Sequence, residues 1–336
     1  MSITEVARLA GTSVATVSRV FNNPEIVNPQ TRASVQRVAR ELGYVPNSSA
    51  RTLRTRRSQV LGVMLPTLSN PVFAECLQGI AAEAEQRGYA IVLTTTEYDQ
   101  ERETAAAERL LSAGVEALVL VVSNPATSQT LQRTRQVGLP YVLAYSQTEE
   151  HACVSVDNRQ AIYHLVERLH DSGHQRIGMV TGQLHASDRA QQRYKGYLQG
   201  MQARGLTALP VWELPFTTQA LEQLQQDLMQ ADPPTALVCS NDLIAIRSLR
   251  AAALAGLRVP QDLCVVGFDG IALGSDLTPS LASITQPNEA IGRQCVALLC
   301  DALARNALLC GNDSVHLPYG WRAGESCTPL SSTAFS

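Results

Sequence analysis

The chain has 336 residues, of which 45% are hydrophobic and 17% charged, and its formal net charge is −3. This composition is typical of a soluble globular protein with more than one packing unit, and it excludes a membrane-spanning chain because the longest apolar runs are far too short to cross a bilayer. The first ten residues contain acid and base without a long apolar core, so we expect no signal peptide and a cytoplasmic location.

The charge is distributed unevenly along the chain. Residues 1–57 contain nine arginines and three glutamates, a net charge of +6, so the rest of the chain carries −9. A small basic head on an acidic body is expected when only the head contacts nucleic acid.

The first two predicted helices are short and close together. Ser2 stands three residues before Glu5 in a capping box that begins the first helix, and Gly11 ends it. Ser13 is the predicted cap of the second helix, in which apolar residues at helical spacing form one face. These residues are Val17, Val20 and Phe21.

A third helix is predicted from Asn28, with Pro29 in its first turn, to Gly43. Two short helices joined by a turn and followed by a third are typical of a helix-turn-helix unit. The outward face of the second helix then carries Val14, Ala15, Thr16, Ser18, Arg19 and Asn22.

This outward face has the chemistry of a major-groove reader. Arg19 suits guanine edges or a phosphate, Thr16 and Ser18 suit phosphates, and Val14 and Ala15 suit thymine methyl groups. The alternative is a three-helix packing module with solvated arginines. The sequence "ARTLRTRRSQ" at residues 50–59, with four arginines and no acid, favours DNA binding.

The stretch from "ITEVARLAGTSVATVSRVFNNPEIVNPQTR" to "GYVPNSSARTLRT" resembles the DNA-binding domain of the LacI/GalR family. The resemblance implies that the second helix reads an operator and that a hinge helix, formed on DNA, inserts Leu53 between base pairs and kinks the duplex. It identifies as DNA-binding residues Thr4, Val14, Ala15, Thr16, Ser18, Arg19, Asn22, Asn28, Ala50, Leu53 and Arg54.

Beyond residue 60, short β-rich runs alternate with amphipathic helical patterns, which predicts an α/β fold of parallel sheets covered by helices. The predicted strands are "VLGVMLP", "YAIVLTTT", "ALVLVVS", "YVLAYS", "RIGMVTG", "TALVCSND" and "LCVVGFDG". Ligands of such folds bind beyond the carboxyl ends of the strands. Several polar and aromatic residues occupy those positions, although each alone is more often a cap or a solvated charge, as Asp99 and Asp242 illustrate.

No enzymatic signature is found: the chain has no Walker loop, dinucleotide fingerprint, GxSxG or HExxH motif. We therefore expect no catalytic residue and no cofactor. His170 and His174 lie close in sequence, but a helix dipole explains them better than a metal does, so no metal site is predicted. The eight scattered cysteines are predicted to be reduced and structural rather than bound to zinc or paired in disulfides.

The segments "SNPVFAE", "RYKGY", "SNDLIAI" and "VPQDLCVVGFDG" resemble the effector domain of the same family, a two-lobed domain of the periplasmic-binding-protein type. The resemblance implies that Phe73 forms a wall, Phe216 stacks on the ligand, and Arg193 and Asp269 bind its polar groups. The full set of implied effector-binding residues is Phe73, Tyr145, Arg189, Arg193, Phe216, Asn241, Asp269 and Gln286.

The resemblance also implies a division of the chain. The helix-turn-helix domain takes residues 1–46, the hinge 47–59, the effector-binding and dimerisation domain 60–330, and the tail 331–336. Within the effector domain, lobe 1 takes about 60–160 and 288–318, and lobe 2 takes about 161–287 and 319–330.

The predicted function is that of a transcriptional regulator, a repressor, which binds a pseudo-palindromic operator as a homodimer and responds to a sugar or sugar acid. The resemblance places Tyr145 where several relatives have an acid, and this difference, together with the two arginines of the implied pocket, favours a gluconate-like anion. Tetramers of the family have a C-terminal leucine heptad, and the tail of this chain lacks one, so the resemblance implies a dimer rather than a tetramer. The alternatives are a sugar-binding receptor without a DNA role and an α/β sugar-processing enzyme.

Overall fold

The computed structural model of the chain describes residues 2–44, 57–216 and 221–328. The chain divides into two units, Met1–Ser58 and Gln59–Ser336. No helix in the described part of the chain has the length and apolar character that a bilayer span requires.

The described residues of the N-terminal unit form three α-helices, as the capping signals predict. They are α1 (Ile3–Leu9), α2 (Val14–Asn22) and α3 (Pro29–Glu41). Ser2 Oγ accepts from the backbone N–H of Glu5 at 3.3 Å, and Ser13 Oγ accepts from that of Thr16 at 3.1 Å. The buried core consists of Val6, Ala7, Val17, Val20, Val35, Val38 and Ala39.

The described residues of the second unit form two six-stranded sheets. The first, in lobe 1, has the order β11-β5-β4-β3-β1-β2 and the strands β1 (Val60–Leu65), β2 (Ala90–Thr95), β3 (Ala117–Leu120), β4 (Tyr141–Ala144), β5 (Cys153–Ser155) and β11 (Val315–His316). The second, in lobe 2, has the order β12-β10-β9-β8-β6-β7 and the strands β6 (Ile177–Gly182), β7 (Trp212–Leu214), β8 (Ala236–Cys239), β9 (Cys264–Asp269), β10 (Ala282–Thr285) and β12 (Gly320–Arg322).

Helices cover both faces of each sheet, which buries the apolar side chains on either side. They are α4 (Pro71–Gln86), α5 (Gln100–Ser112), α6 (Gln129–Gln136), α7 (Asn158–Asp171), α8 (Asp188–Ala203), α9 (Glu222–Leu228), α10 (Asp242–Leu254) and α11 (Asn288–Arg305). Helix α11 packs tightly on α4 in lobe 1 because Gly79 and Gly292 have no Cβ, which would overlap the backbone of the facing helix.

All strand pairings are parallel in the described residues except β10 with β12, which is antiparallel. The seven predicted strands are confirmed as β1, β2, β3, β4, β6, β8 and β9. The strand prediction omitted β5, β7, β10, β11 and β12, and all of these except β10 have only two or three residues, which is too short a pattern.

One prediction about the cysteines is wrong. A disulfide joins Cys264, at the start of β9, to Cys327. Its two cysteines are 63 residues apart in the sequence and are brought together only by the fold. Cys76, Cys153, Cys239, Cys295 and Cys300 are buried thiols, and Cys310 is an exposed one.

Candidate functional site

The face of α2 that was predicted to read DNA is open to solvent. Val14 is 42% exposed, and Ala15 and Arg19 are also exposed. Thr16 and Ser18 are half-buried: the Thr16 hydroxyl lies 2.9 Å from that of Ser13, and Ser18 accepts from Asn22. These side chains form a continuous face opposite the buried Val17 and Val20.

The remaining predicted DNA contacts lie outside α2 in the sequence. Thr4 is exposed at the start of α1. Asn28 is exposed, and its Oδ1 caps α3 by accepting from the backbone N–H of Gln30 at 2.9 Å. The hinge residues Ala50, Leu53 and Arg54 lie outside the described residues.

A second candidate site lies between the lobes, where the carboxyl ends of strands from both sheets converge. All the predicted effector-binding residues line one cavity there: Phe73, Tyr145, Arg189, Arg193, Phe216, Asn241, Asp269 and Gln286. The prediction did not include six other residues that line it, Asn70, Val72, Tyr98, Ser187, Ala190 and Ser240.

Asp269 is the acid of the cavity. It is 4% exposed, and its Oδ1 accepts from Gln286 Nε2 at 2.7 Å and from Arg193 NH1 at 3.5 Å. Burial raises the pKa of Asp269 to about 8, and the nearby Arg193 guanidinium opposes this rise. Gln286 Oε1 is buried, and no described residue donates to it, so it is an acceptor available to a ligand.

Arg193 is held in place on several sides. Its Nε donates to Asn158 Oδ1 at 2.8 Å and its NH1 donates to the Ser240 carbonyl. The guanidinium carbon lies 3.6 Å from the centre of the Phe268 ring, a cation–π contact. This buried charge is therefore rigidly positioned beside Asp269.

Arg189 joins the two lobes. Its NH1 donates to Asp188 Oδ1 at 2.8 Å within lobe 2 and to the Val122 carbonyl of lobe 1 at 3.0 Å. The backbone N–H of Asp188 donates to the Ser123 carbonyl of lobe 1 at 2.8 Å. Arg189 thus combines a place in the cavity wall with a structural contact across the cleft.

Aromatic rings form much of the cavity wall. Tyr145 is 2% exposed, and its hydroxyl lies 3.2 Å from both the Val72 carbonyl and Asn288 Oδ1. Phe73 packs against it edge-on, with ring centres 5.9 Å apart. Burial raises the pKa of Tyr145 well above its ordinary value, so the phenol stays neutral.

Tyr98 is the lining residue that sequence reasoning missed most narrowly. It follows β2, and the strand-end rule pointed instead to its neighbour Asp99. Asp99 is exposed and caps α5, where its Oδ1 accepts from the backbone N–H of Arg102 at 2.8 Å. Tyr98 stacks on Phe216 of lobe 2, with ring centres 4.5 Å apart.

The sequence suggested Asp242 as a helix cap, but the neighbouring Asn241 takes that role. Asn241 is the N-cap of α10, because its Oδ1 accepts from the backbone N–H of Ile244 at 2.8 Å. Asp242 is fully buried behind the cavity and accepts from the Ser283 hydroxyl at 2.6 Å and the Ile271 N–H at 2.8 Å. Asp242 therefore braces the strand ends and does not cap the helix.

Two family models match separate parts of the chain. Residues 2–47 match the model for bacterial regulatory proteins of the lacI family, and residues 166–327 match that for a periplasmic binding protein-like domain. The HTH-type transcriptional repressor CytR of Escherichia coli is 31% identical over 304 residues, which cover 89% of each chain. Catabolite control protein A of Priestia megaterium is 32% identical over 324 residues, which cover 95% of this chain and 97% of the other.

The chain belongs to the LacI family.

Solved structures of the family extend the match to the fold. The lac repressor dimer bound to operator and the anti-inducer ONPF superposes with a TM-score of 0.87 at 26% identity, covering 98% of this chain and 99% of that one. The transcriptional regulator CelR in complex with cellobiose superposes with a TM-score of 0.72 at 26% identity, covering 97% and 100%. The predicted LacI-type fold is confirmed, and this LacI-family chain is a DNA-binding transcriptional regulator.

Proposed function

We propose that this LacI-family regulator represses transcription as a homodimer on a pseudo-palindromic operator, under the control of a small polyhydroxylated effector held between its lobes. The observation that carries the proposal is that all eight residues predicted to bind effector line one cavity, in a chain that also has an exposed DNA-reading helix face. Two such heads on a twofold dimer suit two half-sites.

In the head, Arg19, Val14 and Ala15 contact base edges, and Thr4, Thr16, Ser18, Asn22 and Asn28 position the unit on the backbone. The proposed domain boundaries are those predicted from the sequence. Within the hinge at residues 47–59, Ala50 and Arg54 contact the minor groove, and Leu53 enters the central base step from each subunit.

In the cavity, Asp269, Gln286 and Arg193 bind hydroxyl groups, while Phe73 and Phe216 cover apolar ring faces. The expectation of a sugar acid was based on two arginines. Arg189 contacts Asp188 and Arg193 contacts Asp269, so each of these arginines already has an acidic partner within the protein. The arginine count therefore no longer favours an anion, and we propose an uncharged polyol group at this end of the ligand.

Coupling between the sites depends on contacts across the cleft. The hydrogen bond from Arg189 to the Val122 carbonyl and the Tyr98–Phe216 stack can both form only when the lobes are at one separation. An effector that changes this separation changes the affinity for operator, provided that it binds the two lobe arrangements unequally. It acts as an inducer or a co-repressor according to which arrangement suits the operator.

We further propose that the chain acts in the cytoplasm and is not an enzyme. The polar side chains of the cavity are hydrogen-bonded within the protein, which holds them in fixed positions. This arrangement favours ligand binding rather than catalytic turnover. The alternative of a sugar-binding receptor without a DNA role does not account for the LacI-type head.

A gel-shift titration tests the proposal. The full chain is titrated against duplexes from the DNA upstream of its own coding sequence, with a scrambled duplex of equal length as the control. We expect two protomers to bind one symmetric site and a small polyol to change the midpoint. Equal binding of both duplexes in every condition would contradict the proposal.

A further inference from the structure

The strongest unassigned feature of the molecule is the aromatic pair that bridges the cleft. Tyr98 comes from lobe 1 and Phe216 from lobe 2, and their rings stack with centres 4.5 Å apart and planes inclined by 12°. Gly182 makes room for this arrangement, because a Cβ there would overlap the Phe216 ring. We call this pair the aromatic clamp.

The clamp separates two cavities. The inner one, beside Asp269, has a volume of about 30 Å³, and the outer one has about 240 Å³. Both are lined by Asn70, Tyr98, Phe216 and Asn241. The inner cavity holds little more than water, so a ligand of sugar size or larger must part the clamp to bind.

The backbone around the clamp is strained. Glu97 and Tyr98 have φ values of 53° and 60°, in the left-handed region that non-glycine residues seldom adopt. Tyr145 and Asp269, which line the inner cavity, have φ values of 70° and 116°. Strain of this kind persists at ligand sites where the surrounding structure enforces it, so it marks Tyr98 as part of the site.

The lining of the outer cavity includes several polar side chains. Among them are Thr67, Ser69 and Asn70 from lobe 1 and Asn241 and Arg247 from lobe 2. Arg247 is fixed by donating to the carbonyls of Pro215 at 2.6 Å and Phe216 at 3.1 Å. Amide and hydroxyl groups in this position can pair with the edge of a flat ring whose faces the clamp covers.

We propose that the effector is a nucleoside-like molecule, with a flat heteroaromatic ring between Tyr98 and Phe216 and a sugar on Asp269 and Gln286. Two parallel rings are complementary to a planar ring on both faces, and they need to part only to about 7 Å to admit one. A lone sugar would fill the polyol end and leave the outer cavity unused. This inference rests on the proposed function, since it names the ligand class of the same cavity.

Isothermal titration of the full chain with adenosine, guanosine, cytidine, uridine, ribose, glucose and gluconate tests this inference. We expect at least one nucleoside to bind, and ribose to bind about 10- to 100-fold more weakly because it lacks the stacked ring. If no nucleoside binds, or if ribose, glucose or gluconate binds as tightly as the best nucleoside, the inference is overturned.

Variants then locate the ring. Tyr98→Phe should retain nucleoside affinity, whereas Tyr98→Leu and Tyr98→Ala should weaken it about 10- to 100-fold. Tyr163→Ala is the control, since Tyr163 lies outside both sets of lining residues and donates to Glu167 at 3.2 Å on α7. If a folded Tyr98→Leu variant binds nucleosides as tightly as the parent chain does, the proposed role of the aromatic clamp is overturned.

A gel shift of the ligand-free chain separates this inference from the proposed function. A chain that binds operator and responds only to a plain sugar overturns the nucleoside class alone. A chain that binds no operator specifically overturns the proposed function, whatever ligand it takes.

Discussion

The helix-turn-helix face and the inter-lobe cavity are built in opposite ways. In the head, the residues that carry the proposed function lie exposed on one short helix, while a separate apolar core supports them. In the cavity they are buried, come from the ends of many strands, and bind one another before any ligand arrives. The chemistry of an exposed helix face therefore follows from local sequence, whereas that of a buried site depends on neighbours that only the fold supplies.

The largest expected effect separates the two regions. Asp269→Asn should weaken effector binding about 100-fold, because it replaces the buried carboxyl group that hydrogen-bonds the ligand, and should leave ligand-free operator binding intact. Paired titrations with effector and with operator DNA measure both. Asp262→Asn is the control, since Asp262 pairs with Arg258 on the surface. A full effector response in Asp269→Asn would exclude Asp269 from the site.

The next prediction concerns the hinge, whose role is implied by the family resemblance. Leu53→Ala should weaken operator binding about 10- to 100-fold but change nonspecific binding little, because only the kinked operator gains from a wedge. Fluorescence anisotropy on operator and scrambled duplexes at one salt concentration measures both. Equal losses on the two duplexes would refute the wedge.

A smaller effect tests the exposed face. Arg19→Ala should cost about 1–3 kcal/mol of discrimination at the base pair it contacts, because it removes a donor pair directed at a base edge. Operator variants with single base changes measure this loss. Arg37→Ala is the matched control, since Arg37 pairs with Glu41 on α3. If the parent and Arg19→Ala rank all operator variants alike, Arg19 contacts only phosphate.

The last effect is a pH dependence of stability that belongs to the cavity. Burial raises the pKa of Asp269 from 3.8 to about 8, so the native state binds the proton more tightly than the unfolded state does. The resulting stability is fully present below pH 3.8 and is lost as the pH rises through about 8.

Denaturant unfolding of the ligand-free chain at pH 5 and pH 8 measures this dependence. The free energy of unfolding should fall less between these pH values in Asp269→Asn than in the parent. Asp262→Asn should behave like the parent in this range, because the hydrogen bonds from Arg258 lower the pKa of Asp262 to about 2. An equal fall in the free energy of unfolding of the parent and of Asp269→Asn would contradict the assignment of this pH dependence to Asp269.

Sequence reasoning predicted the long elements of the fold well. The three head helices have side-chain caps, and the seven predicted strands lie in runs of β-branched and apolar residues. It missed β7 and β12 because three residues carry too little periodicity to distinguish a strand from a loop. The Cys264–Cys327 pairing was equally hidden, since 63 residues separate its partners.

The cavity residues were identified through the family resemblance, and the structure brings all of them together. The partners of the arginines were harder to predict. Asp188 pairs with Arg189, yet nothing in "ASDRAQQR" shows that its carboxyl group turns inward to this arginine. Tyr98 is the immediate neighbour of Asp99, which sequence reasoning considered at the end of the strand. Tyr98 was missed because a helix cap and a cavity residue stand side by side at this strand end.

We propose that effector binding in the cavity and operator binding by the basic head are thermodynamically coupled. The most direct test is to measure the dissociation constant of the effector with and without saturating operator DNA. Linkage requires operator to change effector affinity by the same factor by which effector changes operator affinity. We expect the two factors to agree and to differ from one. An effector affinity that is identical with and without bound operator would contradict the claim.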